Sequence, residues 1–523
     1  MGKVFRRRIG LVGANVLKSL NVCRVPLLLV VFIISCRNDH NQEVPSQFLI
    51  QDVTLIDGTG SDRRTVDVRI VGSQVDAIGD LSPNDDEIID GTGLVLSPGF
   101  IDTHSHHDRG LFETPEALVL LSQGVTTIIV GQDGGSRLPI RSLKEEFLAT
   151  PTSVNLGSFV GHGTIRSEIM GVDYLKAAEP DEIVAMGELL SEELESGALG
   201  FSTGLEYDPG IYSTTSEVVA LARITAEHGK RYSSHMRSED RNLFDAIEET
   251  ISIARATGIP VHISHIKLAM KSLWGRASEI LLLLDQAREE GLTVTADLYP
   301  YEYWQSTMTV LFPDRDFNRE AAKFALEELA PPEGILIDRY EPNRSYEGQT
   351  LAEISEVRKS DPVTTYLDLI AESQAAKEVG GGGGESIIGT SMATQDIATL
   401  LKWPYTNVAS DGSSTSRHPR GYGSFPKIFR TYVRERGDLS LEEAIHKMTG
   451  LASETLGLQK RGTLEIGSIA DMVLFDPERI ADMATRQDPH AHSIGVVGVW
   501  VSGSRVYENG LFTGVYPGRW IGK

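Results

Sequence analysis

Short apolar runs alternate with amphipathic stretches through the middle of this chain. Runs at Leu96–Thr103, Val125–Val130, Asn155–Val160, Ala198–Ser202, Arg231–Ser234, Pro260–Ser264, Thr293–Asp297 and Asn407–Ser410 predict buried strands. Between them, Thr215–His228, Asn242–Thr257 and Ala277–Glu290 repeat apolar residues every three or four positions and predict helices. Eight such alternations predict a (β/α)8 barrel of the TIM type. Shorter β-like segments bracket it: Phe48–Ile56, Val66–Val71 and Gln74–Ile78 before, and Ala470–Asp476, Ile494–Val501 and Arg505–Tyr507 after. They predict one small β-sandwich domain built from both chain ends, residues 47–97 and 462–515, around a barrel at 98–461.

The alternation breaks once. Between the seventh and eighth strands lie about a hundred residues, far more than a βα connection needs. This insert, near 302–390, holds helical pieces at Arg319–Leu329, Leu351–Lys359 and Val363–Ser373, then five consecutive glycines at 380–384. It reads either as a cap over the barrel mouth with the glycine run as a hinge, or as a loose surface insertion.

The first 35 residues follow a different pattern. Lys3, Arg6, Arg7, Arg8, Lys18 and Arg24 precede the apolar run Val25–Ile34, and no acid interrupts them. That is a secretory signal, with a run too short to span a bilayer comfortably. Its end, Ile33-Ile34-Ser35-Cys36, resembles a bacterial lipobox, which implies cleavage before Cys36 and a lipid on its sulfur. Residues 36–46 then read as a tether. The expected location is the cell envelope, reached by export, with the membrane touched only through that anchor. Removal of the segment takes away six basic residues and no acid, moving the net charge from −24 to −30. Nucleic acid is thereby excluded as a partner, because phosphate binding needs a basic face. The only cysteines, Cys23 and Cys36, lie in this region, so no disulfide staples the body.

In a barrel of this kind, chemistry sits where the strands end. The first strand ends in His104 and His106, which alternation sends to one side. Asp133 follows the second strand, His235 the fifth, His265 the sixth and Asp411 the eighth. Four imidazoles and two carboxylates gathered at one mouth are the donor set of a centre for one or two divalent ions, with zinc favoured. His107 and Asp108 read as loop residues making turn hydrogen bonds. His162, between glycines after the third strand, reads as a substrate contact or a satisfied loop histidine. Glu206, after the fourth, reads as an edge carboxylate, a substrate group or a bridging ligand.

Several segments together resemble the amidohydrolase superfamily and, within it, the D-aminoacylase (N-acyl-D-amino-acid deacylase) family. They are Pro98-Gly99-Phe100-Ile101-Asp102-Thr103-His104-Ser105-His106, Gly124-Val125-Thr126-Thr127, Phe159–Thr164, Ile263–Lys267, Asp297–Tyr301, Ser410-Asp411-Gly412, His418-Pro419-Arg420 and Lys447–Gly450. The resemblance implies that His235 and His265 hold the tighter metal, with His104, His106 and Asp411 completing a second position. It also implies that Arg420 and Lys267, helped by Tyr299 or Tyr301, grip a substrate carboxylate. The implied activity is hydrolysis of the amide bond of a small N-acyl-D-amino acid to a D-amino acid and a carboxylate, with Asp411 moving the proton. Hydrolysis of a cyclic amide or a D-residue dipeptide is the alternative; a surface-anchored binding protein with a vestigial metal site is another. One departure stands out: the family carries a bridging cysteine after the second strand, where this chain reads Gln132-Asp133-Gly134. Aspartate can bridge through its two oxygens but is a harder ligand than thiolate.

Overall fold

A computed structural model describes residues 47–522, apart from 379 and 381–383. The expected signal segment, the tether and Cys36 lie outside the described residues, as do three of the five glycines of the 380–384 run.

The run expected as one strand at Leu96–Thr103 is two. Val95–Pro98 pairs antiparallel with Met472–Phe475 in the terminal sheet, and Phe100–Asp102 pairs parallel with Val125–Val130 in the barrel. The break falls at Gly99, where a Cβ would lie 2.2 Å from Thr126 Cγ2, so only glycine lets the chain change sheets here. A continuous apolar run hides such a break, because both halves are buried.

Parallel pairing then runs from Phe100–Asp102 through Val125–Val130 to Asn155–Ser158. A second arc runs from Val160–Gly161 through Gly200–Gly204, Arg231–His235, Val261–Ile263 and Val294–Leu298 to Thr406–Val408. Phe159 joins the arcs, so Asn155–Gly161 acts as one kinked strand. The ring closes between the last and first strands, where Asp411 N donates to His104 O (2.8 Å) and His106 N to Gly412 O (2.9 Å). The eight strands therefore form a (β/α)8 barrel. Helices cover it with one apolar stripe each. In Leu243–Thr257, residues Leu243, Ala246, Ile247, Thr250, Ile251 and Ala254 are buried, and Gly258 in the left-handed region ends the helix.

The chain ends build a nine-stranded sheet. At its centre Gln47–Leu55 pairs antiparallel with Arg64–Val71 and, on its other edge, parallel with Glu87–Asp90 and then Val95–Pro98. Alternation divides its faces. Met472 and Leu474 pack with Phe48, Ile50, Leu96 and Trp500 in a core of the sheet's own, while Val473 and Phe475 join the barrel core.

The insert is not a loose segment. Tyr303–Ser306, Glu385–Thr390 and Ile335–Tyr340 form a three-stranded antiparallel sheet in that order, which the sequence did not announce. Helices Leu351–Arg358 and Pro362–Glu378 cover it, and the buried Tyr366 hydroxyl donates to Met308 O at 2.9 Å.

Candidate metal centre

His104, His106, Asp133, His235, His265 and Asp411 converge at the C-terminal end of the barrel. Asp133 stands between two pairs of imidazoles. Its Oδ2 lies 3.2 Å from His104 Nε2 and 3.1 Å from His106 Nε2. Its Oδ1 lies 3.2 Å from His265 Nε2 and 3.9 Å from His235 Nδ1. Asp411 Oδ1 completes the first group at 3.5 Å from His104 Nε2 and 3.3 Å from His106 Nε2. One oxygen thus faces each pair, which is how a carboxylate bridges two cations. Asp133, where the resemblance implied a cysteine, thus offers an oxygen to both groups, and a mixed imidazole–carboxylate set fits zinc.

Carboxylates stand behind the imidazoles. Asp297 Oδ2 is 3.7 Å from His104 Nδ1, and Glu206 Oε2 is 3.0 Å from His235 Nε2. A carboxylate on one ring nitrogen holds the proton there and leaves the other nitrogen's lone pair for a metal. His265 Nδ1 sits between Glu239 Oε1 (2.8 Å) and Lys267 Nζ (2.9 Å). This backing position was not among the readings open for Glu206, which together with His235 and Glu239 also forms a donor group of its own. Glu239 was not singled out from the sequence, although it follows the fifth strand by four residues; Asp297 appeared there only within a motif. A carboxylate just past a strand tip was the readable signal.

The charges here are crowded and buried. Burial alone would lower the His104 imidazole, but Asp133 and Asp411 outweigh it and hold it well above its ordinary value. Burial opposes protonation of His265 too, as does Lys267, yet Glu239 and Asp133 push it up to about 9. His235 goes the other way, lowered by burial to about 4. Burial would raise the Asp133 carboxyl, but His104 and His265 hold it well below the carboxylate range. A field that draws protons onto ligand nitrogens draws a divalent cation by the same attraction.

Three of these residues carry strained backbone: Asp133 (φ +55°), His265 (φ +36°) and Asp411 (φ +47°). Such conformations cost on the order of 1–3 kcal/mol each and persist only where neighbours enforce them. Each turn is pinned from an adjoining strand or turn. Ser202 Oγ donates to Gly131 O (2.6 Å) and accepts from Gly134 N (3.3 Å), bracketing Asp133. Asp297 Oδ1 accepts from His265 N at 2.6 Å. Asp102 accepts from Ser410 N (2.8 Å) and Ser410 Oγ (2.5 Å), beside Asp411.

The residues expected at the substrate divide. Arg420 Nη1 pairs with Asp411 Oδ2 at 2.6 Å, and its guanidinium lies 4.6 Å from the centre of the Tyr299 ring. Lys267 Nζ pairs with Glu239 Oε1 at 2.5 Å. Lys267, Tyr299 and Asp411 line one small cavity, whose far wall comes from the insert through Trp304, Val310, Leu311 and Leu329. Among the described residues, the buried Tyr299 hydroxyl has no hydrogen-bond partner. His162 and Tyr301 are corrections. His162 Nε2 faces Glu217 Oε1 at 2.8 Å in a fully buried cluster with Arg166, because the helix His162–Met170 begins at that residue and turns its side chain into the helix layer. Tyr301 is packed against His418 and reaches Pro419 O, so it supports the Arg420 loop and does not line the cavity. His107 is buried and, as expected of a loop residue, makes a turn hydrogen bond, its backbone N–H donating to Ser105 Oγ at 3.2 Å.

Fold and site together define a (β/α)8 barrel with a candidate centre for divalent ions at the C-terminal ends of its strands. The chain matches the amidohydrolase family over residues 87–330 and 341–507, and it belongs to that family. It is 34% identical over 501 residues to a D-aminoacylase of Alcaligenes xylosoxydans xylosoxydans, covering 91% of this chain and 97% of the relative. An N-acyl-D-glutamate deacylase of the same organism is also 34% identical, over 486 residues, with 88% and 93% covered. The crystal structure of an N-acyl-D-glutamate deacylase from Bordetella bronchiseptica, complexed with zinc and a phosphonate mimic of the tetrahedral intermediate, superposes with a TM-score of 0.81. That match is at 31% identity and covers 92% of this chain and all of the other.

Proposed function

We propose that this protein hydrolyses the amide bond of N-acyl-D-amino acids, releasing a D-amino acid and a carboxylate. The observation that carries the reading is the juxtaposition of the Asp133-bridged donor set with Arg420, Lys267 and Tyr299 across Asp411. It supplies both an electrophilic centre and cationic groups for one substrate carboxylate. Cyclic amides of the dihydropyrimidinase type have no such carboxylate to grip.

His104, His106, Asp133 and Asp411 would hold one zinc ion, and Asp133, His235 and His265 the other. When bound, the metal acidifies water and polarises the acyl carbonyl. Asp411 takes the proton from the attacking water and delivers it to the leaving nitrogen. Burial alone would raise its carboxyl, but Arg420 and the facing His104 hold it well below the carboxylate range, so it enters the reaction ionised. Arg420 presents a planar, bidentate edge to the substrate carboxylate. The carboxylate's fixed position orients the scissile bond over the metals. N-acetyl-D- and L-leucine assayed with zinc and with chelator test the reading. Turnover of the D-isomer that chelator abolishes supports it, and turnover of the L-isomer alone removes it.

The basic, acid-free start of the chain and Ile33-Ile34-Ser35-Cys36 support a second part of the proposal: export, with a lipid on Cys36. Cys36→Ala should then move the protein from the membrane fraction to the soluble one. An unchanged distribution would count against the anchor.

A further inference from the structure

The small inner cavity and the wide vestibule outside it meet at Asp411, which lines both. The inner cavity holds about 40 Å³ and the vestibule about 990 Å³, so the outer space is by far the roomier of the two. Their chemistry differs as well. Glu206, Glu239 and Asp240 line the inner cavity, with Lys267 as the basic group among its lining residues. Lys267 is already paired with Glu239, so a second acid on the amino-acid side chain would meet no free ammonium or guanidinium there.

The vestibule carries arginines: Arg109, Arg137, Arg339, Arg344, Arg417 and Arg420. Arg420 is paired with Asp411, and Arg137 with Glu146. Among the described residues, Arg109, Arg339, Arg344 and Arg417 have no ion-pair partner. The carboxylates of the same wall are mostly turned to neutral donors. Asp338 accepts from Gln305 Nε2 (2.8 Å), Ser386 Oγ (2.5 Å) and Arg417 N (2.7 Å). Glu347 accepts from Tyr340 N (3.2 Å), and Glu385 from Met308 N (2.7 Å). Asp108, the remaining rim acid, is half-buried at the start of the short helix Asp108–Leu111. These carboxylates keep their charge and balance the arginines of the lining in number, so what the rim offers an anion is local: the donors of guanidiniums that no carboxylate already engages.

We propose that this vestibule is a subsite for a second carboxylate, carried on the acyl group of the substrate. The inference rests on the N-acyl-D-amino acid reading and narrows it to acidic acyl groups. Arg420 lies over the Tyr299 ring and beside Asp411, where the two spaces meet, so the amino-acid carboxylate is held at that junction, the amino-acid side chain points into the inner cavity and the acyl end extends towards the rim. Arg344 and Arg417 offer forked, charge-assisted hydrogen bonds to a carboxylate there.

The test compares kcat/KM for N-succinyl-D-leucine with that for its neutral isostere N-succinamoyl-D-leucine on the zinc-loaded enzyme. Charge-assisted contact predicts about a tenfold preference for the succinyl compound, shrinking as sodium chloride is raised. Arg344→Gln and Arg417→Gln should each reduce the ratio. Should those variants fold poorly, the salt dependence of the wild-type ratio decides alone. Equal rates for the two compounds overturn the subsite while leaving deacylation intact. A preference for N-acetyl-D-glutamate over N-acetyl-D-leucine, without a succinyl advantage, places the second carboxylate on the amino acid and also overturns it. Hydrolysis of none of these compounds overturns the deacylase reading itself, an outcome distinct from the other two.

Discussion

The barrel mouth and the terminal sheet use the same unusual backbone for different ends. In the sheet, positive φ occurs at Asp52 (+52°), at an irregularity of the strand Gln47–Leu55, and in two turns at Ser502 (+48°) and Asn509 (+48°), each followed by a glycine. The last two are two-residue hairpin turns, where the twist of the flanking strands asks for that conformation. At the mouth it occurs at Asp133, His265 and Asp411, where no hairpin requires it. Charges follow the same division. Arg69 meets Asp86 at 3.0 Å in the sheet, and Arg461 meets Asp471, whereas imidazoles and acids at the mouth crowd one another. Strain in the sheet sets strand register. Strain at the mouth aims ligands, and it is held there by Asp102, Ser202 and Asp297.

Four measurements break or sharpen that contrast. The largest effect belongs to Asp411→Asn, which should lower kcat/KM by about 10³-fold while the melting temperature hardly moves. Near-normal turnover would take Asp411 out of the mechanism. Next, Ser202→Ala should weaken zinc binding about 10- to 100-fold, measured by competition with a chelator, because the Asp133 turn loses its pin. The matching change in the sheet, Asn509→Ala, should cost stability without altering zinc affinity. If both variants bind zinc alike, the aiming role of strain at the mouth is wrong.

His162→Ala should destabilise the protein by about 1–2 kcal/mol through loss of its bond to Glu217, with KM unchanged. A raised KM would restore His162 to the substrate site. The smallest effect is expected in the sheet. The hydrogen bonds from Arg69 hold the Asp86 carboxyl down at about 2. A lowered carboxyl pKa adds stability above its unfolded value near 3.8, and that stability is lost as pH falls through 2. Arg69→Ala should therefore cost about 1 kcal/mol at pH 7, and the difference from wild type should close between pH 4 and 2 in thermal melts.

What was legible beforehand is what local pattern encodes. Strand tips can be located because apolar runs of strand length end where the polar ligand appears, as at Val125–Val130 before Asp133. Alternation places His104 and His106 on one side by itself. The insert's sheet was not legible, because Tyr303–Ser306 and Ile335–Tyr340 pair with Glu385–Thr390 across dozens of residues, and none alternates clearly. His162 shows the limit most plainly. Its glycine-flanked position at a strand end looks like that of a site residue, yet its ring turns to Glu217.

The sequence by itself determined the alternating fold, the donor types at the strand ends and the aspartate where a thiolate was expected. Only the tertiary structure decided which nitrogen faces the centre, which carboxylate stands behind it, and that Asp133 offers one oxygen to each imidazole pair. The reason is physical: periodicity acts over a few neighbouring residues, while the aim of a side chain is set by contacts between residues more than a hundred positions apart, such as His265 with Asp133.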